Sequence, residues 1–70
     1  MIAYTLFSPA RNGYYAGFKY VANGMSNPRF EANPLDASFF EEKDDATRML
    51  NHPKLVMCRL AAFSINEVAL

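Results

Sequence analysis

Residues 14–21 (YYAGFKYV) and 54–65 (KLVMCRLAAFSI) are apolar on both of their alternating faces, and only residues 42–51 offer a helix to cover them. Side chains alternate between the two sides of a strand. Residues 54–65 therefore divide into Val56, Cys58, Leu60 and Ala62 on one side and Leu55, Met57, Arg59, Ala61, Phe63 and Ile65 on the other. Residues 14–21 divide into Tyr14, Ala16, Phe18 and Tyr20 against Tyr15, Gly17, Lys19 and Val21. An antiparallel sheet covered on one face alternates cleanly between apolar and polar, and these stretches do not. One short helix shelters one face, so the other needs a second cover: a loop of the chain, a second copy, or a different protein.

Seventy residues allow one domain, spanning 1–70, and a domain of that size buries only roughly 60% of the surface its unfolded chain exposes. A hydrophobic fraction of 51% is enough for a core and argues against disorder. Seven Lys or Arg balance seven Asp or Glu, so no net field draws the chain to nucleic acid or to an anionic membrane. Cys58 is the only cysteine, which excludes an intramolecular disulfide and suits a reducing compartment. No apolar run approaches the roughly 20 residues needed to cross a bilayer, and no secretory leader pattern follows Met1. The expectation is a complete cytoplasmic polypeptide.

Residues 2–8 (IAYTLFS) read as a strand, and Ser8 to Gly13 as a loop of turn formers that makes residues 14–21 its antiparallel neighbour. Asn23-Gly24 ends that second strand. Asn27-Pro28 and Asn33-Pro34 oppose helix between Met25 and Pro34, leaving a short extended edge piece around Phe30 and Ala32. DASFF, residues 36–40, has two readings. Ser38 with Glu41 fits a capping box that starts a helix at Phe39; alternatively DASFF is a strand and the helix begins near Glu42. The second is preferred, because Ala46, Met49 and Leu50 make one helical stripe whereas Phe39 and Phe40 are adjacent. Acidic residues at 41, 42, 44 and 45 suit a helix start, and His52-Pro53 ends it. The expected fold is α+β: an antiparallel sheet of three to four strands with one short helix on one face.

Placing the charge-free sets against the helix, since an unpaired Lys or Arg is costly to bury, leaves Tyr15, Lys19, Met57, Arg59 and Phe63 on the open face. Tyr, Met, Phe and Arg are the types enriched at protein interfaces. These five are the candidate partner-binding residues. The competing reading is a thicker monomer core with Lys19 and Arg59 reaching out to water.

Catalytic equipment is not evident, and no cofactor or metal site is expected. Cys58 in LVMCRL reads as a small core residue, with a thiol enzyme as a minor alternative. His52, the single histidine, suits a helix end. The acidic run at 41–45 lacks the alternating ligands and central glycine of a calcium loop. Gly13, Gly17 and Gly24 make no phosphate loop. GYYAGFKYV is loosely similar to the base-stacking strand of RNA-recognition motifs, although the spacing differs. A single-stranded nucleic-acid binder using Tyr15, Lys19 and Arg59 is therefore the runner-up.

From Arg29 to Val68 an aromatic extended segment, a helix opening Lys43-Asp44-Asp45-Ala46 and closing Met49-Leu50, and a long apolar strand follow in order. This layout resembles that of very short bacteriophage-encoded host-takeover and anti-defence proteins such as anti-CRISPRs. The resemblance implies a non-enzymatic protein that docks on and inhibits a host or defence protein, and it transfers no site residue. Together with the surplus sheet face, it sets the functional expectation: a small binding protein that also has the surface to pair with itself.

Overall fold

The computed structural model describes residues 2–64. In chain order they form β1 (Ile2–Ser8), β2 (Gly13–Ala22), β3 (Met25–Glu31), a 3-10 turn (Pro34–Asp36), α1 (Lys43–Met49) and β4 (Arg59–Ser64). The strands make one antiparallel sheet in the order β3-β2-β1-β4. The α+β class expected from the sequence, a small antiparallel sheet with one short helix, is the class found.

β1 runs through the middle, and its β-branched and aromatic residues suit that place. It pairs with β4 along six positions, from Ile2↔Ser64 to Phe7↔Arg59. With β2 it pairs only at Phe7↔Tyr14 and Ser8↔Gly13, after which the hairpin splays. The chain at 38–40 fills the gap. Phe40 exchanges backbone hydrogen bonds with Tyr4 at 2.7 and 2.8 Å, and the Ser38 N–H donates to the Tyr15 carbonyl at 2.9 Å. Thr5 Oγ1, fully buried, donates to the Ser38 carbonyl at 2.7 Å. Extended backbone at 38–40 also sends its two phenylalanines to opposite sides: Phe40 joins the core, and Phe39 meets Phe63 on the far face. Adjacent aromatics suit this arrangement better than a helix.

α1 starts at Lys43 with Glu42 in its cap position, and no side chain caps it. Asp44 and Asp45 occupy the first turn and Arg48 the last, the placement its dipole favours. Its buried residue is Ala46, small enough for the helix to lie close to β1. Ala46, Leu6, Tyr15 and Leu55 form the core, with Phe40, Met49, Leu50, Cys58 and Leu60 packed around them.

Three expectations about strands need correction. Residues 36–40 do not form a strand: Asp36 closes the 3-10 turn that Asn33-Pro34 starts, and Phe40 alone makes a bridge, to Tyr4. β3 is a full strand rather than a short piece around Phe30 and Ala32, pairing with β2 from Tyr14↔Glu31 to Ala22↔Met25. Pro28 is tolerated there because β3 is an edge strand, where a missing N–H costs no ladder bond. β4 is shorter than the apolar run at 54–65 and begins at Arg59. The preceding residues turn instead, with Leu55 N–H donating to the His52 carbonyl at 2.9 Å and Cys58 N–H to the Leu55 carbonyl at 3.0 Å. The chain must reverse between α1 and β4, and these residues make the reversal while Leu55 enters the core. Ile65 lies outside the described residues.

Candidate functional site

Gly17 decides which side chains of β2 reach solvent. Its φ is +91°, a conformation that glycine adopts without a steric cost. At this point the β2–β3 register advances three residues on β2, Tyr15 to Phe18, against two on β3, Phe30 to Pro28. This is a β-bulge. Strict alternation puts Tyr15 and Lys19 on one face, so an exposed Lys19 pulls Tyr15 outward with it. The bulge breaks that link. Tyr15 and Phe18 both face the helix side, where their rings lie 5.9 Å apart, and alternation then puts the exposed Lys19 on the other side.

The five residues expected to share an open face are therefore divided. Tyr15 is in the core, 6% exposed and stacked 6.3 Å from Phe40. Met57 is 82% exposed, but it stands in the turn before β4 and not on the sheet. Arg59 and Phe63 do share the face away from the helix, and exposed Lys19 lies on the same side of β2, farther along. With Tyr15 in the core, Lys19 and Arg59 lack the ring on which a nucleic-acid reading relied.

That far face carries an aromatic row. Phe7 and Tyr14 have centroids 5.1 Å apart, Tyr14 and Phe63 5.3 Å, and Phe63 and Phe39 5.7 Å. The intervening positions are Ala3, Thr5 and Ala61, and the small size of these residues lets the rings meet. All four rings are half-buried, and Ala3 and Thr5 are buried. The row is thus a shallow second core that the chain partly covers itself, and Tyr14 and Phe39 rather than Tyr15 complete it.

The exposed apolar surface lies elsewhere. β2 is buried or half-buried as far as Gly17 and exposed from Phe18 to Ala22. There it pairs with β3 alone, so the end of the hairpin projects as a two-stranded arm. Asn23 and Gly24, at φ +53° and +75°, close its tip, as a two-residue hairpin turn requires. Tyr20, Val21 and Met25 on the arm are 67, 56 and 59% exposed. The arm is held to the body along one side. The ring of Phe18 sits 5.0 Å from that of His52, and Lys54 Nζ donates to the Ser26 carbonyl and to Asn27 Oδ1. Exposure of this arm was not readable from the sequence, because it depends on where β1 stops pairing.

Cys58 is half-buried. Burial raises its thiol pKa above the ordinary value, and a hydrogen bond from the Ser8 side chain offsets part of the rise. The thiol is thus protonated at neutral pH, whereas nucleophilic attack needs the thiolate. Burial likewise raises the Tyr15 phenol. Both groups are neutral in the acid form, so a raised folded-state pKa stabilises the fold below the unfolded value and loses that contribution as pH rises. Melting temperature is expected to fall once pH passes about 9 and further above about 10, the ordinary values of the two groups. A melting temperature flat from neutrality to about pH 10.5 contradicts this.

Among the described residues, no group of three His, Cys, Asp or Glu side chains is placed to hold a metal, and no helix is long and apolar enough to cross a membrane. Comparison with models of protein families, with curated proteins and with solved structures gave no match.

Proposed function

We propose that this chain is a non-catalytic binding protein that docks on another protein through its projecting β2–β3 arm. The observation that carries this reading is the concentration of Tyr20, Val21 and Met25, each more than half exposed, on one two-stranded element. Isolated hairpins are marginal in water, and leaving an aromatic, a β-branched residue and a methionine on one is explicable when a partner covers them. Tyr and Met are favoured at interface centres, and neighbouring Lys19 would sit at the rim. The resemblance to short phage proteins supports a finer version, in which the partner is a host or defence protein and docking inhibits it in the cytoplasm.

Tyr20→Ser combined with Met25→Ser tests the reading. Both side chains are exposed, so melting should change by no more than a few degrees, in keeping with about 0.5 kcal/mol per surface site. Capture of a specific partner from host lysate should fall about tenfold or more, the effect of removing at least one interface anchor. Undiminished capture by the double variant would remove the arm as the interface. Light scattering on the free protein distinguishes the remaining occupant: a dimer abolished by the same substitutions makes the arm a contact between copies.

A further inference from the structure

A groove of about 410 Å³ opens where three separate segments meet: the β1–β2 loop with Arg11, the outer strand β3 with Asn27 and Pro28, and the turn before β4 with Lys54 and Met57. Ligand sites in proteins are typically concavities of about 300–1,000 Å³ with a few convergent polar groups on an apolar lining. This one has that composition. Its charged lining is solely cationic, with Arg11 and Lys54 and no carboxylate. Among the described residues, the ion pairs are Arg29 with Glu31 and Arg48 with Asp45, so neither groove cation is neutralised by an acid.

Both cations are positioned. Arg11 lies with its guanidinium carbon 5.9 Å from the centre of the Phe30 ring, within cation–π range. Its backbone N–H donates to Ser8 Oγ at 3.2 Å. Lys54 is fixed by the Ser26 carbonyl and Asn27 Oδ1, both neutral acceptors. No carboxylate in the lining competes with a ligand for either cation. The apolar lining, which includes Ala10, Pro28, Phe30 and Met57, matches a hydrocarbon body better than it matches water.

We propose that the groove is a binding site for a small organic anion: a phosphate or carboxylate group between Arg11 and Lys54, joined to a flat apolar body lying along Pro28 and Met57. The groove lies on the flank of the arm but uses none of Tyr20, Val21 and Met25, so different side chains test it and the docking reading. A guanidinium favours a planar, forked contact with an oxyanion, whereas the ammonium acts as a point charge.

Amide NMR titration of the whole chain with phenyl phosphate, benzoate, inorganic phosphate and benzyl alcohol tests this. Phenyl phosphate or benzoate should shift the amides of Arg11, Asn27 and Cys58 saturably, with a Kd on the order of 1 mM or tighter. Which of the two binds more strongly identifies the oxyanion. Benzyl alcohol should fail for want of charge, and inorganic phosphate should bind more weakly for want of an apolar body. Arg11→Gln, at an exposed position outside the Lys54 strap, should weaken binding about threefold, and Arg11→Gln with Lys54→Gln about tenfold or more. Equal binding of benzyl alcohol, equal binding of inorganic phosphate, undiminished binding by the double variant, or no saturable shift up to about 10 mM would each overturn the assignment.

Discussion

Leu55→Ala is expected to destabilise the protein by about 2–5 kcal/mol, the range for truncating a leucine that leaves a cavity. Leu55 is fully buried and packs with Leu6, Tyr15 and Ala46. At roughly 0.05–0.15 kcal/mol per residue, a chain of this size has about 4–10 kcal/mol in all, so the variant should lose much of its cooperative unfolding transition. Its neighbour provides the control. Val56 is 56% exposed, and Val56→Ala should stay within about 0.5 kcal/mol. Urea unfolding of both variants measures the difference. Similar small losses for the two would show that Leu55 does not anchor the core, and that the turn before β4 is packed otherwise.

Gly17→Ala should destabilise by about 1–3 kcal/mol through backbone strain alone. A Cβ at this position meets only Ser38 Oγ, at 3.9 Å, which is ordinary contact. What an L-residue there resists is φ of +91°. For a domain this small, the loss corresponds to a fall in melting temperature of about 4–8 °C per kcal/mol. A second readout separates strain from general loosening. If the variant relieves the strain by losing the bulge, alternation becomes regular along β2 and Phe18 turns away from His52, which the ring proton shifts of His52 report. A melting temperature within about 2 °C of the parent, with the His52 signals unmoved, would mean the positive φ is not needed to set the face of Phe18.

The same glycine explains where reading the sequence succeeds and where it stops. Strand patterning at residues 2–8 and 14–21, the Asn23-Gly24 turn and the helix after residue 42 are local: each rests on propensity, periodicity or a dipeptide's φ preference, and each is present in the structure, whereas the strand expected over 36–40 is reduced to one bridge at Phe40. The surplus of apolar strand surface was legible too, since the face away from the helix carries Phe7, Tyr14, Phe39 and Phe63 in contact. The choice of Tyr15 over Tyr14 as the outward ring failed because face assignment assumes an unbroken period of two, and one bulge reverses it for every residue on one side of the break. Met57 failed for a related reason. An apolar run with strand-like alternation also serves as a turn that buries one leucine, and periodicity alone does not separate the two.

Arg11 and Lys54 show the limit most plainly. They stand 43 positions apart in sequence, on two loops that only the sheet order and the reversal after α1 bring to one groove. Local preference is a property of neighbouring residues, so the chain's own order of amino acids determined its elements, its antiparallel α+β class and its excess of apolar strand. Which face each ring occupies, how far the arm projects and which cations converge depend on register, on the bulge at Gly17 and on strand order. Those are settled by long-range pairing, and only the tertiary structure decided them.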